Sequence, residues 1–82
     1  MMHEIRSAQP VEPFHLVLEF NPGEYRIVDI RPFLKGPVFE PLKNERFFKQ
    51  VKVDRDAGTV VWPGDIDLDP DVLYQNSKPY LP

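Results

Sequence analysis

The residue pattern predicts an α+β fold: a small, mostly antiparallel sheet of two hairpins plus an N-terminal edge strand, with short helices packed on one face. Three observations predict it. Apolar alternation appears in two separate stretches, residues 14–30 and 51–62, each interrupted by a turn. Ten prolines in 82 residues exclude long helices, because proline inside a helix costs about 3 kcal/mol. An apolar fraction of 41%, with one Trp, three Tyr and six Phe, still supplies a core, so the chain is globular.

The elements follow in order. Ile5 to Val11 reads as a first strand interrupted or ended by Pro10, which sheets accept at an edge or a bulge. In the next strand Phe14, Leu16, Leu18 and Phe20 share one face and His15, Val17 and Glu19 the other. Asn21-Pro22-Gly23-Glu24 turns the chain, and residues 25–30 return antiparallel. Residues 31–36 read as one helical turn stopped by Gly36, with Asp29 or Arg31 standing where a cap would. Pro37 and Pro41 are expected to keep Val38-Phe39-Glu40 extended. A short helix is predicted over 43–50, with Asn44 as N-cap and Phe47 and Phe48 facing inward. It is too short to persist without packing.

Residues 51–54 and 59–62 form the second hairpin, closed by a loop in which Gly58 takes positive φ. Pro63-Gly64 ends that strand. Asp69 then caps a last helical turn, with Pro70 at its first position and Asp71 favouring the dipole. Leu68 and Leu73 are spaced as a hydrophobic staple. Residues 75–82 show no pattern and read as a tail, so the domain spans 1–82 with a core over about 5–74.

No cysteine is present, so neither a disulfide nor a thiolate metal site is available. The first residues lack an apolar signal region and no run is long enough for a membrane span, so a cytoplasmic protein without membrane contact is expected. Net charge is −3, which disfavours bulk attraction to nucleic acid. The charge is uneven: residues 43–56 hold five bases and three acids, whereas residues 57–82 hold Lys78 against four aspartates.

The side chains that could carry chemistry each have a structural alternative. Asp65, Asp67, Asp69 and Asp71 alternate like the start of a calcium loop, but Pro70 and Asn76 stand where that loop needs Gly and Glu. They read instead as turn and cap residues. His3 and His15 are distant in sequence, His3 in a terminus expected to fray, and do not make a zinc set. Ser7, Thr59 and Ser77 have no base nearby in sequence. Lys43, Arg46, Lys49 and Lys52 recur every three residues, a basic stripe if helical, and a solvated helix face is the simpler reading. Trp62 and Tyr74 are expected to pack together and pin the final turn to the sheet. Thus no catalytic, cofactor-binding or metal-binding residue is assigned and no cofactor is expected.

The stretch Val60-Val61-Trp62-Pro63-Gly64-Asp65-Ile66-Asp67-Leu68-Asp69-Pro70-Asp71-Val72-Leu73-Tyr74 resembles the C-terminal signature of a small bacterial family, domain of unknown function 2442. That signature usually runs Trp-Pro-Asn-Gly-x-Asp-Leu-x-Pro-Asp-x-Leu-Tyr. Residues 16–24, 28–34 and 47–54 resemble the family in the same order, so the likeness covers roughly Val11 to Tyr74. One departure is that Gly64-Asp65 replaces the usual Asn-Gly, bringing the glycine forward by one position.

The resemblance implies a regulatory or partner-binding domain. Relatives are often encoded beside another small protein, in pairs commonly described as toxin–antitoxin modules. A non-enzymatic protein-interaction module is therefore expected, the antitoxin-like member of such a pair, with a neighbouring gene product or a second copy as partner. A small-ligand or metal-sensing domain is the alternative, and a small enzyme comes last.

Overall fold

The computed structural model describes residues 3–81 as two antiparallel sheets joined by short helices. The first sheet holds β1 (Ile5–Val11), β2 (His15–Phe20), β3 (Glu24–Asp29) and β7 (Lys78–Pro79), in the order β1-β2-β3-β7. The second holds β4 (Lys52–Asp54), β5 (Thr59–Trp62) and β6 (Ile66–Asp67), with β5 central. The fold is thus the expected α+β class, but its two hairpins lie in separate sheets.

Pro10 sits on an edge strand, as its missing N–H requires. The start of that strand also joins the sheets: Ile5 donates its N–H to the Gly58 carbonyl at 2.9 Å, and β1 packs beside β4 and β5. Gly58 has φ 70, and a Cβ there would lie 3.1 Å from the Glu4 side chain. The β4–β5 turn therefore needs glycine for its backbone angle and for its close approach to β1.

The strand predicted to begin at Phe14 begins at His15, because Phe14 has φ 55 and lies in the connecting loop. Leu16, Leu18 and Phe20 are buried as the alternation requires. They join Ile5, Val28, Ile30, Leu42, Phe48, Val60, Trp62, Ile66 and Leu73 in one core shared by both sheets. Trp62 donates its indole N–H to the Phe48 carbonyl at 2.8 Å, so the bulkiest core residue leaves no polar atom orphaned.

The middle of the chain departs from expectation. The first 3-10 turn spans only Arg31–Phe33, and Gly36, at φ 83, opens the next segment instead of closing this one. Residues 38–40 are not extended but lie in a second 3-10 segment, Pro37–Lys43. Pro37 at its first position presets helical φ and has no N–H to waste there. That preference outweighs the pull of Pro41 on the residue before it. The helix predicted over 43–50 is α1 (Glu45–Phe48), capped by the Asn44 side chain accepting from the Phe47 N–H at 3.1 Å.

The signature region holds one further strand. Gly64 and Asp65 both have positive φ, 88° and 61°, which returns the chain after Trp62 to pair Ile66 with Trp62. Moving the glycine forward thus leaves an aspartate in the left-handed region, which Asp tolerates better than most residues. α2 (Pro70–Gln75) is capped by Asp69 as predicted. The tail reading of residues 75–82 is corrected up to Tyr80: Lys78 pairs with Ile27 and Pro79 with Arg26, and Tyr80 donates its N–H to the Tyr25 carbonyl. Pro82, with Met1 and Met2, lies outside the described residues.

Candidate functional site

Among the described residues a polar assembly forms where α2 meets the start and the end of the first sheet. Register places Glu24 and Arg26 on the face of β3 that Val28 carries into the core, but at its rim. Arg26 is 14% exposed and donates to Ser77 Oγ, the Ser77 carbonyl and Glu24 Oε2. Its guanidinium carbon lies 4.3 Å from the centre of the Tyr74 ring. The Tyr74 hydroxyl donates to both Glu24 oxygens at 2.9 Å, and the ring packs edge-on against Phe20. Hydrogen bonds from Arg26 and then from Tyr74 hold the Glu24 carboxyl below its ordinary value. The same bond to Glu24 raises the Tyr74 phenol.

His3 belongs to this assembly, contrary to the frayed terminus expected. Its backbone N–H and its Nδ1 lie 3.0 and 2.8 Å from Asp71 Oδ1, and its ring stacks on Tyr74 with centroids 3.9 Å apart. Asp71, read as a residue serving the α2 dipole, therefore also docks the chain ahead of β1 onto α2. These groups satisfy one another, and Ser77 Oγ is held by Arg26 and the Tyr74 carbonyl. The arrangement acts as a clasp.

The aspartates of the signature separate. Asp65 occupies a turn, Asp67 is exposed on β6, Asp69 caps α2 and Asp71 meets His3. Among the described residues no three His, Cys, Asp or Glu side chains come together in a way that could hold a metal ion. Trp62 and Tyr74 do not form the expected pair: Trp62 lies against Phe48, Tyr74 against His3 and Phe20. The basic residues do not share a helix. Lys43 ends the 3-10 segment beside Glu40, Arg46 is in α1, Lys49 follows α1 beside Glu12, and Lys52 is in β4. Thr59 donates to the Leu68 carbonyl and Ser7 to Glu19. An open groove of about 540 Å³ runs between Lys49–Lys52 and Val61–Asp65.

The second candidate is a surface. The outward face of the first sheet is a grid fixed by register: Val11 beside His15 and Asp29, Gln9 beside Val17, Ile27 and Lys78, Ser7 beside Glu19 and Tyr25. Tyr80 continues β7 next to Tyr25. None of these residues is buried, and Val11 and Tyr25 are 39% and 45% exposed. Apolar and tyrosyl side chains run across its middle, with polar and charged groups around them. Alternation in β2 pointed to this face, but Tyr80 was hidden in a segment too short to show a period.

Two twisted antiparallel sheets sharing a core, with a clasp at α2 and one open sheet face, define a small α+β protein. Its sequence places it more narrowly. The chain belongs to the family described as "Protein of unknown function (DUF2442)", whose profile matches residues 5–79. The match extends beyond the stretch that carried the resemblance, taking in β1 and β7. No curated protein and no solved structure matches the chain. Among the described residues no helix is long and apolar enough to cross a membrane.

Proposed function

We propose that this protein is a non-enzymatic interaction module that docks a protein partner on the outward face of its four-stranded sheet. The observation that carries the reading is the composition of that face. Val11, Val17, Tyr25, Ile27 and Tyr80 form one accessible patch, rimmed by Ser7, Gln9, His15, Glu19 and Lys78. Tyrosine-bearing apolar centres with polar rims are the usual anatomy of protein interfaces. Strand addition along β1 is the weaker route, because Pro10 interrupts its donors and Ile5 is engaged by Gly58.

In the antitoxin-like version of this reading, which the resemblance implies, the partner is a small protein encoded alongside. Co-expression with that neighbour tests it. A one-to-one complex by size-exclusion chromatography and relief of the neighbour's effect on growth are expected. The double substitution Val17→Glu, Tyr25→Ala should remove both while leaving the far-UV spectrum unchanged. A complex that survives the double substitution, or two proteins that neither bind nor alter growth, would overturn the proposal.

A further inference from the structure

One corner of the outward sheet face is a pocket of about 340 Å³ lined by His15, Ile27, Asp29, Asn76 and Lys78. Register builds it. His15 stands opposite Asp29 across β2 and β3, and Ile27 stands opposite Lys78 across β3 and β7. Ile27 and Asp29 are two residues apart on β3, with β2 on one side and β7 on the other, so the four side chains step diagonally across three strands on one face. Asn76, the C-cap of α2, closes a side. The volume falls at the lower end of small-ligand sites.

The hydrogen bonding around the pocket fixes what each group can offer. His15 Nδ1 lies 2.7 Å from the Pro13 carbonyl, which only accepts. The neutral ring therefore carries its hydrogen on Nδ1 and leaves Nε2 as an acceptor. The Asn76 amide nitrogen donates to the Val72 carbonyl at 2.8 Å, so its Oδ1 is the remaining acceptor. Asp29 accepts the Arg31 backbone N–H on Oδ1 and the Arg31 guanidinium on both oxygens, through contacts of 2.8 to 3.2 Å, which leaves one acceptor position, on Oδ2. Lys78 makes no ion pair among the described residues.

The lining thus joins an ammonium that has no ion pair among the described residues to three acceptors, one of them a carboxylate already paired with Arg31, over the apolar side chain of Ile27. A simple anion would meet Asp29 and a simple cation would meet Lys78. A molecule carrying both charges a few bonds apart satisfies both. We propose that this pocket binds a small zwitterion of the free amino acid class, its carboxylate on Lys78 and its ammonium on Asp29, Asn76 Oδ1 and His15 Nε2. This goes beyond protein docking and stands or falls separately from it, since it needs no partner.

The test is a titration of the isotope-labelled full chain, followed by amide NMR shifts, with each of the twenty common amino acids and with acetate and methylamine as half-molecule controls. At least one amino acid should give saturable shifts confined to residues around 15, 27, 29, 76 and 78, with acetate and methylamine at least about tenfold weaker. Lys78→Met, an exposed change, should raise the apparent Kd roughly tenfold or more. His15→Phe should weaken binding to a smaller degree. Absence of saturable shifts with all twenty, acetate binding as tightly as the best amino acid, or an unchanged Kd in Lys78→Met would each overturn the proposal. Loss of partner binding in the Val17, Tyr25 double variant bears on the docking face alone.

Discussion

At Tyr74 a stacked imidazole, a guanidinium and a carboxylate meet one phenol ring. The hydroxyl bond to Glu24 carries a prediction: Tyr74→Phe should move the Glu24 carboxyl back toward its ordinary value, read by carboxyl-carbon NMR against pH. Arg26 keeps part of the depression, because its hydrogen bond is the larger cause. Asp29 offers a second titration. Hydrogen bonds from Arg31 hold its carboxyl at about 2, below the ordinary 3.8. A carboxyl depressed in the folded state stabilises the fold above its unfolded pKa, and that contribution fades as pH falls from about 4 through 2. Both partners are substantially exposed, so solvent screening limits the effect to under about 1 kcal/mol. Arg31→Met should return Asp29 toward 3.8 and cost that small amount at pH 7 but only a minor part of it at pH 2, where half of the folded-state carboxyl is already protonated, by denaturant melts at both. These partnerships were not legible in the sequence. Asp29 and Arg31 are two residues apart and were seen only as alternative caps, whereas His3 and Asp71 are 68 apart, and only the topology brings them together.

Elements with a strong local signal were legible, and those defined by tertiary pairing were not. The β2–β3 hairpin, the Asn44 cap and the Asp69 cap follow from alternation and side-chain chemistry that act within a few residues. β6 and β7 are two residues each, too short for any period, and exist because β5 and β3 offer free edges. Residues 37–43 form a 3-10 segment where the sequence predicts extended chain over 38–40, because two proline effects compete there and the one favouring a helical start wins. Asn44→Ala should destabilise the protein by about 1 kcal/mol, by the midpoint of urea unfolding, since α1 has one turn and this cap satisfies one of its few free N–H groups. The β5–β6 turn gives a change of opposite sign. Asp65 at φ 61 bears a left-handed backbone that costs an ordinary residue about 1–2 kcal/mol, less for Asp. Asp65→Gly relieves that strain but adds unfolded-state freedom worth about 0.5–1 kcal/mol. A net gain below about 1 kcal/mol is expected in the same assay, and a loss would mean that the Asp65 side chain contributes to the turn.

For the whole molecule, the two sheets cannot be separate folding units if one core serves both. Leu18 lies on β2 in the first sheet and Trp62 on β5 in the second, yet both are fully buried in the same cluster, and Ile5 ties the sheets through Gly58. A chain of this length buries little surface for its size, so neither sheet retains a sufficient core alone. Unfolding should therefore be a single cooperative transition, with Trp62 fluorescence and far-UV circular dichroism giving the same midpoint. Leu18→Ala makes the claim sharper, because it opens a cavity in the first sheet and leaves every residue of the second unchanged. Such truncations cost about 2–5 kcal/mol, a large part of the roughly 5–15 kcal/mol that holds a domain together. If the core is shared, the Trp62 midpoint falls by as much as the dichroism midpoint. A Trp62 transition that stays in place while the dichroism signal shifts would show that the second sheet folds without the first, and the outward face would then be carried by a unit stabilised independently of the signature strand.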